Sequence, residues 1–192
     1  IEALAVDTGI MQKNGLAVEF VNAPATQGIA ALVSGQTDMA ATGGAEALGG
    51  IAGGADLVIV TNLVPGIPWQ FYAGPDVQSP ADLRGKKIGI TTAGASYDTA
   101  LRIVLPKFGL DPDTDVTLIT TGSIPNVTSA LLAGAIDAAP LVVTPASSKV
   151  VQQGNFHQVF DFATQAGPYP GAVMVMRRDY LSQHRDIVQK YV

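Results

Sequence analysis

The sequence predicts an α/β protein of two similar lobes, each a mostly parallel sheet flanked by helices. Three observations predict it. First, a stretch recurs: Ala31-Leu-Val-Ser-Gly-Gln-Thr-Asp-Met-Ala40 and Ala130-Leu-Leu-Ala-Gly-Ala-Ile-Asp-Ala-Ala139 share five of ten positions at a shift of 99. Each copy reads as a helix stopped by a glycine and followed by a short strand that an aspartate opens. Second, apolar runs of strand length alternate with segments of helical periodicity in both halves. Third, 21 glycines and 12 prolines in 192 residues supply the many turns that short alternating elements need.

The elements follow in order. Residues 1–13 have roughly helical spacing, broken at Gly9 and closed by Asn14-Gly15. Leu16 to Val21 reads as a strand with Leu16, Val18 and Phe20 on one face. Thr26 is placed as the N-cap of a helix carrying Ile29, Leu32 and Val33. Asp38 to Thr42 is a short buried strand ending at Gly43-Gly44. A helix of small residues runs on to Ala52, and Leu57 to Val60 is a continuous apolar strand.

Pro65 to Tyr72 changes character, with aromatics set among prolines. Ile88 to Thr91 is a strand, and the helix after it carries Leu101, Val104, Leu105 and Phe108 on one face. Pro106 should break that helix, because it lacks a backbone donor. Val116 to Ile119 is a strand, and Pro125 sits near the start of the helix that Gly134 ends. A helix is expected over 141–153, a strand over 156–160, a turn over 167–171 and a buried strand over 173–176. Two short helices, 178–183 and 184 onward, close the chain. The expected division is lobe 1 over 1–75 and 171–192, and lobe 2 over 76–170. Two crossings near 65–78 and 165–172 would form a hinge beside a ligand cleft.

Composition narrows the function. A net charge of −5 and no basic run beyond the pairs Lys86-Lys87 and Arg177-Arg178 argue against nucleic acid. The absence of cysteine removes thiol catalysis and cysteine-based metal sites, and two separated histidines do not make a zinc cluster. No apolar run reaches the ~18 residues that a membrane span requires. The apolar start at Ile1 and the stop at Val192 inside an apparent helix read as a fragment or processed chain.

No nucleophile elbow, metalloprotease motif, P-loop or dinucleotide fingerprint is present. No catalytic residue, cofactor or metal site is therefore expected, and the chain is not expected to be an enzyme. Ser96 is read as a helix cap, and His157 and His184 as structural or surface residues. Binding fits better. Four loops end a strand and open a helix with small polar residues: Pro24–Gln27, Thr42–Ala45, Ala93–Tyr97 and Gly122–Asn126. In an open parallel sheet such loops share the carboxyl edge of the strands, where helix N–H groups suit polar or anionic groups. The candidate ligand-binding residues are Thr26, Gln27, Thr42, Gly43, Gly44, Ala95, Ser96, Tyr97, Pro125 and Asn126. Pro140 and Leu141, taken as following the second-half strand, join them. Trp69 and Tyr169 are candidate apolar walls, with core packing an equal reading for Trp69.

From Ser79-Pro-Ala-Asp-Leu-Arg-Gly-Lys-Lys-Ile-Gly-Ile90 the sequence resembles the ABC-transporter substrate-binding proteins of the nitrate/sulfonate/taurine type, related to thiamine-pyrimidine synthases. The resemblance extends over essentially the whole chain. It takes in Thr8-Gly-Ile-Met-Gln-Lys-Asn-Gly-Leu16, Gly53-Gly-Ala-Asp-Leu-Val-Ile-Val60, Gly109-Leu-Asp-Pro-Asp-Thr-Asp-Val116, Gly134-Ala-Ile-Asp-Ala-Ala139 and Pro168-Tyr-Pro170. It implies a two-lobed periplasmic-binding-protein fold of type II that closes on a small polar or anionic solute and hands it to a membrane permease. A periplasmic or extracellular site of action follows, membrane-associated in some relatives. It also implies a first strand with its ligand loop before Ile1 and helices after Val192. Two other readings share the scaffold: the effector domain of a LysR-like regulator, and a pyrimidine-synthase-like enzyme. The latter loses support because those enzymes use a cysteine-rich motif.

Overall fold

The computed structural model describes residues 7–23, 25–142, 148 and 155–192, with the side chains of Ala25 and Thr26 left aside. In chain order, α1 (Ile10–Lys13) starts after Gly9, whose φ is 71°. It is followed by α2 (Ala25–Val33), β1 (Met39–Gly43), α3 (Gly44–Ala52), β2 (Leu57–Pro65) and β3 (Trp69–Ala73). A 3₁₀ turn at Pro80–Leu83 precedes β4 (Lys87–Ile90) and α4 (Ser96–Val104). Then come β5 (Thr117–Thr120), α5 (Ile124–Leu132), β6 (Ala138–Val142), β7 (His157–Asp161) and α6 (Phe162–Ala166). The chain closes with β8 (Pro170–Arg177), α7 (Arg178–Gln183) and α8 (Arg185–Tyr191).

The chain divides into two compact units. Unit 1 holds Ile1–Thr42, Glu46–Leu63 and Ala172–Val192, and unit 2 holds Gly43–Ala45 and Val64–Gly171. A three-stranded sheet has the order β1-β8-β2, and a five-stranded sheet the order β5-β4-β6-β3-β7. In the larger sheet β4 pairs parallel with β5 and β6. β3 runs antiparallel to both β6 and β7, so the sheet is mixed where a mostly parallel one was expected.

The repeated stretch forms the same turn in both units. Gly35 N–H donates to Leu32 O and Gln36 N–H to Ala31 O; Gly134 N–H donates to Leu131 O and Ala135 N–H to Ala130 O. Both glycines are left-handed, with φ of 78° and 67°. The nested pair of bonds satisfies the last carbonyls of α2 and α5, which is why glycine stands there.

Several expectations need correcting. Leu16–Val21 forms no strand: Leu16 is buried, but Phe20 and Val21 are 46% and 71% exposed. A strand exists through its ladder, and local propensity alone does not make one. Trp69–Ala73, to which no element was assigned, is a strand with Trp69, Phe71 and Ala73 buried on one face. α2 begins at Ala25, so Thr26 lies within its first turn instead of capping it. The helix expected over 141–153 fails at its start, where Leu141 and Val142 belong to β6; most of the rest lies outside the described residues. Phe162–Ala166 is an unexpected short helix, capped by the Asp161 side chain accepting from Ala163 N–H. As expected from Pro106, α4 stops at Val104 and gives way to a 3₁₀ turn over Leu105–Phe108.

The unit 2 core packs Phe71, Phe160 and Phe162 against Leu101, Leu105 and Leu131. The Phe71 and Phe160 rings stack at 4.6 Å and 6°. Full burial of a side chain of this size contributes about 1.5–3 kcal/mol. The unit 1 cluster is formed by Leu32, Ala47, Leu57, Val173 and Val175.

Candidate functional site

Strand direction places one set of loops together. β4, β5 and β6 are parallel, and α4 and α5 open directly beyond the ends of β4 and β5. β3 runs the other way, so its first residue, Trp69, opposes Val142 at the end of β6. β7 ends at this edge too, since Asp161 opposes Gln70. The carboxyl edge of the unit 2 sheet therefore gathers the 91–95 and 121–123 loops, Trp69 and the start of α6.

The loops are tied to each other. Thr121 N–H and Oγ1 both donate to Ile90 O, at 2.9 and 3.1 Å, and Gly122 N–H donates to Thr91 O at 2.8 Å. At α5, Ser123 is the N-cap and its Oγ accepts from Asn126 N–H at 3.3 Å. The Asn126 side chain donates to Thr121 O at 2.9 Å, so both its polar ends serve the loop, while Pro125 is exposed in the first turn.

At α4 the cap differs from expectation. Ala95 is the N-cap, and Ser96 is the first helical residue. The carboxylate of Asp98 holds this helix start: Oδ2 accepts from Gly94 N–H at 2.6 Å and Oδ1 from Arg102 Nε at 2.8 Å. Arg102 reaches on to Asp113 at 2.8 Å. Asp98 is only 3% exposed. The signal for it lay in the sequence, an acidic residue at the third position of a helix.

Tyr97, 2% exposed, stands edge-on to Trp69 at 4.6 Å, and Phe162 also meets Trp69 edge-on at 6.2 Å. Trp69 is 7% exposed, so it is a core residue at the carboxyl edge of the unit 2 sheet. The Tyr97 hydroxyl has no hydrogen-bond partner among the described residues, and burial pushes its pKa well up. A buried, unpaired hydroxyl costs about 1–3 kcal/mol.

The remaining candidates are spread differently. Pro140 and Leu141 lie inside β6, not on a loop beyond it, and both are buried. Pro140 opposes Phe71 across the β3 ladder. Tyr169 is half-buried against the unit 2 core, and its carbonyl accepts from Gly66 N–H at 2.7 Å. Gly44 opens α3 with its backbone against Pro170: a Cβ there would meet the Pro170 carbonyl oxygen at 1.8 Å. Close backbone approach explains this glycine. Gly43 is half-buried at the end of β1. In unit 1, Thr42 is buried in β1 with its hydroxyl unpartnered among the described residues. Gln27 is exposed on the first turn of α2, and the Thr26 side chain lies outside the described residues.

Each unit also holds a cavity. One of about 210 Å³ opens among Gly74, Asp76, Lys86, Leu131, Asp137 and Phe156, at the amino edge of the unit 2 sheet. One of about 240 Å³ in unit 1 is lined by Val33, Asp56, Leu57, Arg177 and Asp179. Among the described residues there is no group of three metal-ligating side chains, and no helix is long and apolar enough to cross a membrane.

A sheet edge where helices begin is the place at which open α/β sheets bind ligands. The chain belongs to the family described as NMT1/THI5 like, which matches residues 3–192. No sequence among the curated proteins matches it.

Similar solved structures have the periplasmic-binding-protein fold. The alkanesulfonate-binding protein SsuA of Xanthomonas axonopodis pv. citri, bound to MOPS, is 26% identical with a TM-score of 0.79; the match covers 98% of this chain and 65% of that one. The periplasmic aliphatic sulphonate binding protein SsuA of Escherichia coli is 24% identical, TM-score 0.77, covering 98% and 61%. The periplasmic nitrate-binding protein NrtA of Synechocystis PCC 6803 is 19% identical, TM-score 0.75, covering 97% and 54%. The chain thus spans less than two thirds of the length of these relatives.

Proposed function

We propose that the chain is the solute-binding part of an ABC-type importer. It captures a small polar or anionic organic solute and presents it to a membrane permease, in the periplasm or outside the cell. The observation that carries this reading is the 26% identity to an alkanesulfonate-binding protein over 98% of this chain. The geometry supports it: two tied loops and two helix starts share one sheet edge. On this reading Ala95, Ser96, Tyr97, Trp69 and the Ser123–Asn126 turn face the solute from unit 2. Thr26, Gln27 and Thr42 are the candidate contacts of unit 1, and Gly43, Gly44 and Tyr169 further ones of unit 2. Capture proceeds without turnover.

The test is thermal unfolding with sulfonates, nitrate, carboxylates and neutral pyrimidines. A ligand that binds only the native state raises stability, by about 2.7 kcal/mol at a hundred times its Kd. One of these classes raises the melting temperature and is recovered unchanged after incubation. A panel without any shift, or chemical conversion of the solute, sinks the reading.

A further inference from the structure

We propose that Asp98 sets the charge preference of the unit 2 edge, so that this edge receives an uncharged hydrogen-bonding face of the solute (a hydroxyl, an amide or a neutral heteroaromatic ring) and not a sulfonate or nitrate. The inference rests on the solute-binding reading above and narrows its substrate class.

An anion at a helix start is held by unpaired N–H groups, the partial positive charge of the helix end and nearby cations. At α4 the helix end already holds a negative charge. The Asp98 carboxylate sits in the first turn, shielded from water, and takes Gly94 N–H at 2.6 Å. A second anion would face that charge where screening is weak.

The described cations of unit 2 are committed elsewhere. Arg102 is shared by Asp98 and Asp113, Arg84 pairs with Asp115, and Lys107 donates to Gln165 O. Lys86, Lys87 and His157 stand at the starts of β4 and β7, the opposite edge of the sheet. At α5 the cap is neutral and already used: Ser123 holds Asn126 N–H, and Pro125 has no N–H to offer.

One polar group at this edge is unspent and neutral. The Tyr97 hydroxyl, in the same first turn as Asp98, is buried without a described partner. It suits an uncharged donor or acceptor, and satisfying it recovers the cost of its isolation.

The experiment titrates the 192-residue chain with sodium methanesulfonate and sodium nitrate at constant ionic strength, following the backbone amide resonances of Ser96 and Tyr97. The wild type gives no saturable shift at these amides. Asp98→Asn keeps an acceptor for Gly94 N–H but removes the charge, and its Ser96 and Tyr97 amides titrate. Apparent affinity rises at least about tenfold, the size of a one-unit electrostatic difference. Saturable anion binding at these amides in the wild type overturns the proposal. So does a folded Asp98→Asn that stays blind to both anions. Asp98→Ser, which caps a helix start with a neutral hydroxyl, takes its place if the asparagine variant does not fold. Failure of the solute-binding reading looks different: no solute of any class moves the melting temperature, whatever the amides report.

Discussion

The two copies of the repeated stretch close their helices with the same pair of backbone bonds, yet they are anchored by opposite charges. In unit 1 the end of α2 is held by a cation: Arg177 Nη1 donates to Leu32 O at 3.1 Å, and Arg177 Nε pairs with Asp179. In unit 2 the anchor is an anion further along, Asp137, whose Oδ2 accepts from Lys87 N–H at 2.7 Å and ties the start of β6 to the start of β4. Asp38, its counterpart, makes no such bond among the described residues; its field reaches the Tyr180 phenol. The turn is a local object, made by a glycine and two amides. Its attachment to the rest of each sheet depends on which neighbour happens to lie within reach.

Asp137→Ala separates the two copies most sharply. It removes a charge-assisted bond and should cost about 1.5 kcal/mol. Asp38→Ala should cost less than about 0.5 kcal/mol and leave solute affinity unchanged. Denaturant midpoints measure both, and equal losses would erase the distinction. Gly134→Ala and Gly35→Ala test what the copies share. Each forces a left-handed residue to carry a Cβ, at about 1 kcal/mol. A Cβ at Gly35 makes only ordinary contact with the Arg177 guanidinium at 3.4 Å and one at Gly134 meets open space, so the two losses should be equal.

The smallest effect concerns a third carboxylate anchor. Asp82 accepts from Ser79 Oγ, Ser79 N–H and Gln78 N–H, and the Ser79 bonds hold its pKa below the usual 3.8. A depressed folded value means the unfolded chain takes the proton first. The stabilisation is therefore complete above the unfolded value and fades as pH falls through the folded one. Asp82→Asn should lower the melting temperature slightly at pH 7 and flatten the acid limb, the two profiles converging below about pH 4.

What could be read from the chain follows the same division between local and non-local causes. Gly35, Gly134, Pro106 and the two closing helices were legible, because a left-handed turn, a missing donor or a helical period is written within a few residues. Leu16–Val21 has the alternation of a strand but no ladder, and the absence of a partner is not written in the segment itself. Trp69–Ala73 hid between prolines, although Trp69, Phe71 and Ala73 alternate as a half-buried strand should. Pro140 looked like the end of a strand. It fits inside β6 because the described register with β4 lies at Ala138, two residues earlier. At the candidate edge the loops were legible and the anchor was not: Asp98, inside the helix, holds the loop through Gly94 N–H.

Trp69 is the chain's one tryptophan, and it lies at the carboxyl edge of the unit 2 sheet against the Tyr97 and Phe162 rings. Its near-ultraviolet emission is therefore a built-in optical reporter for unit 2 alone. Excitation at the red edge of the protein band addresses this single indole, while excitation that also reaches tyrosine adds energy transfer from Tyr97 across 4.6 Å. Solute arriving at this edge and loss of the unit 2 core can both be followed without a label.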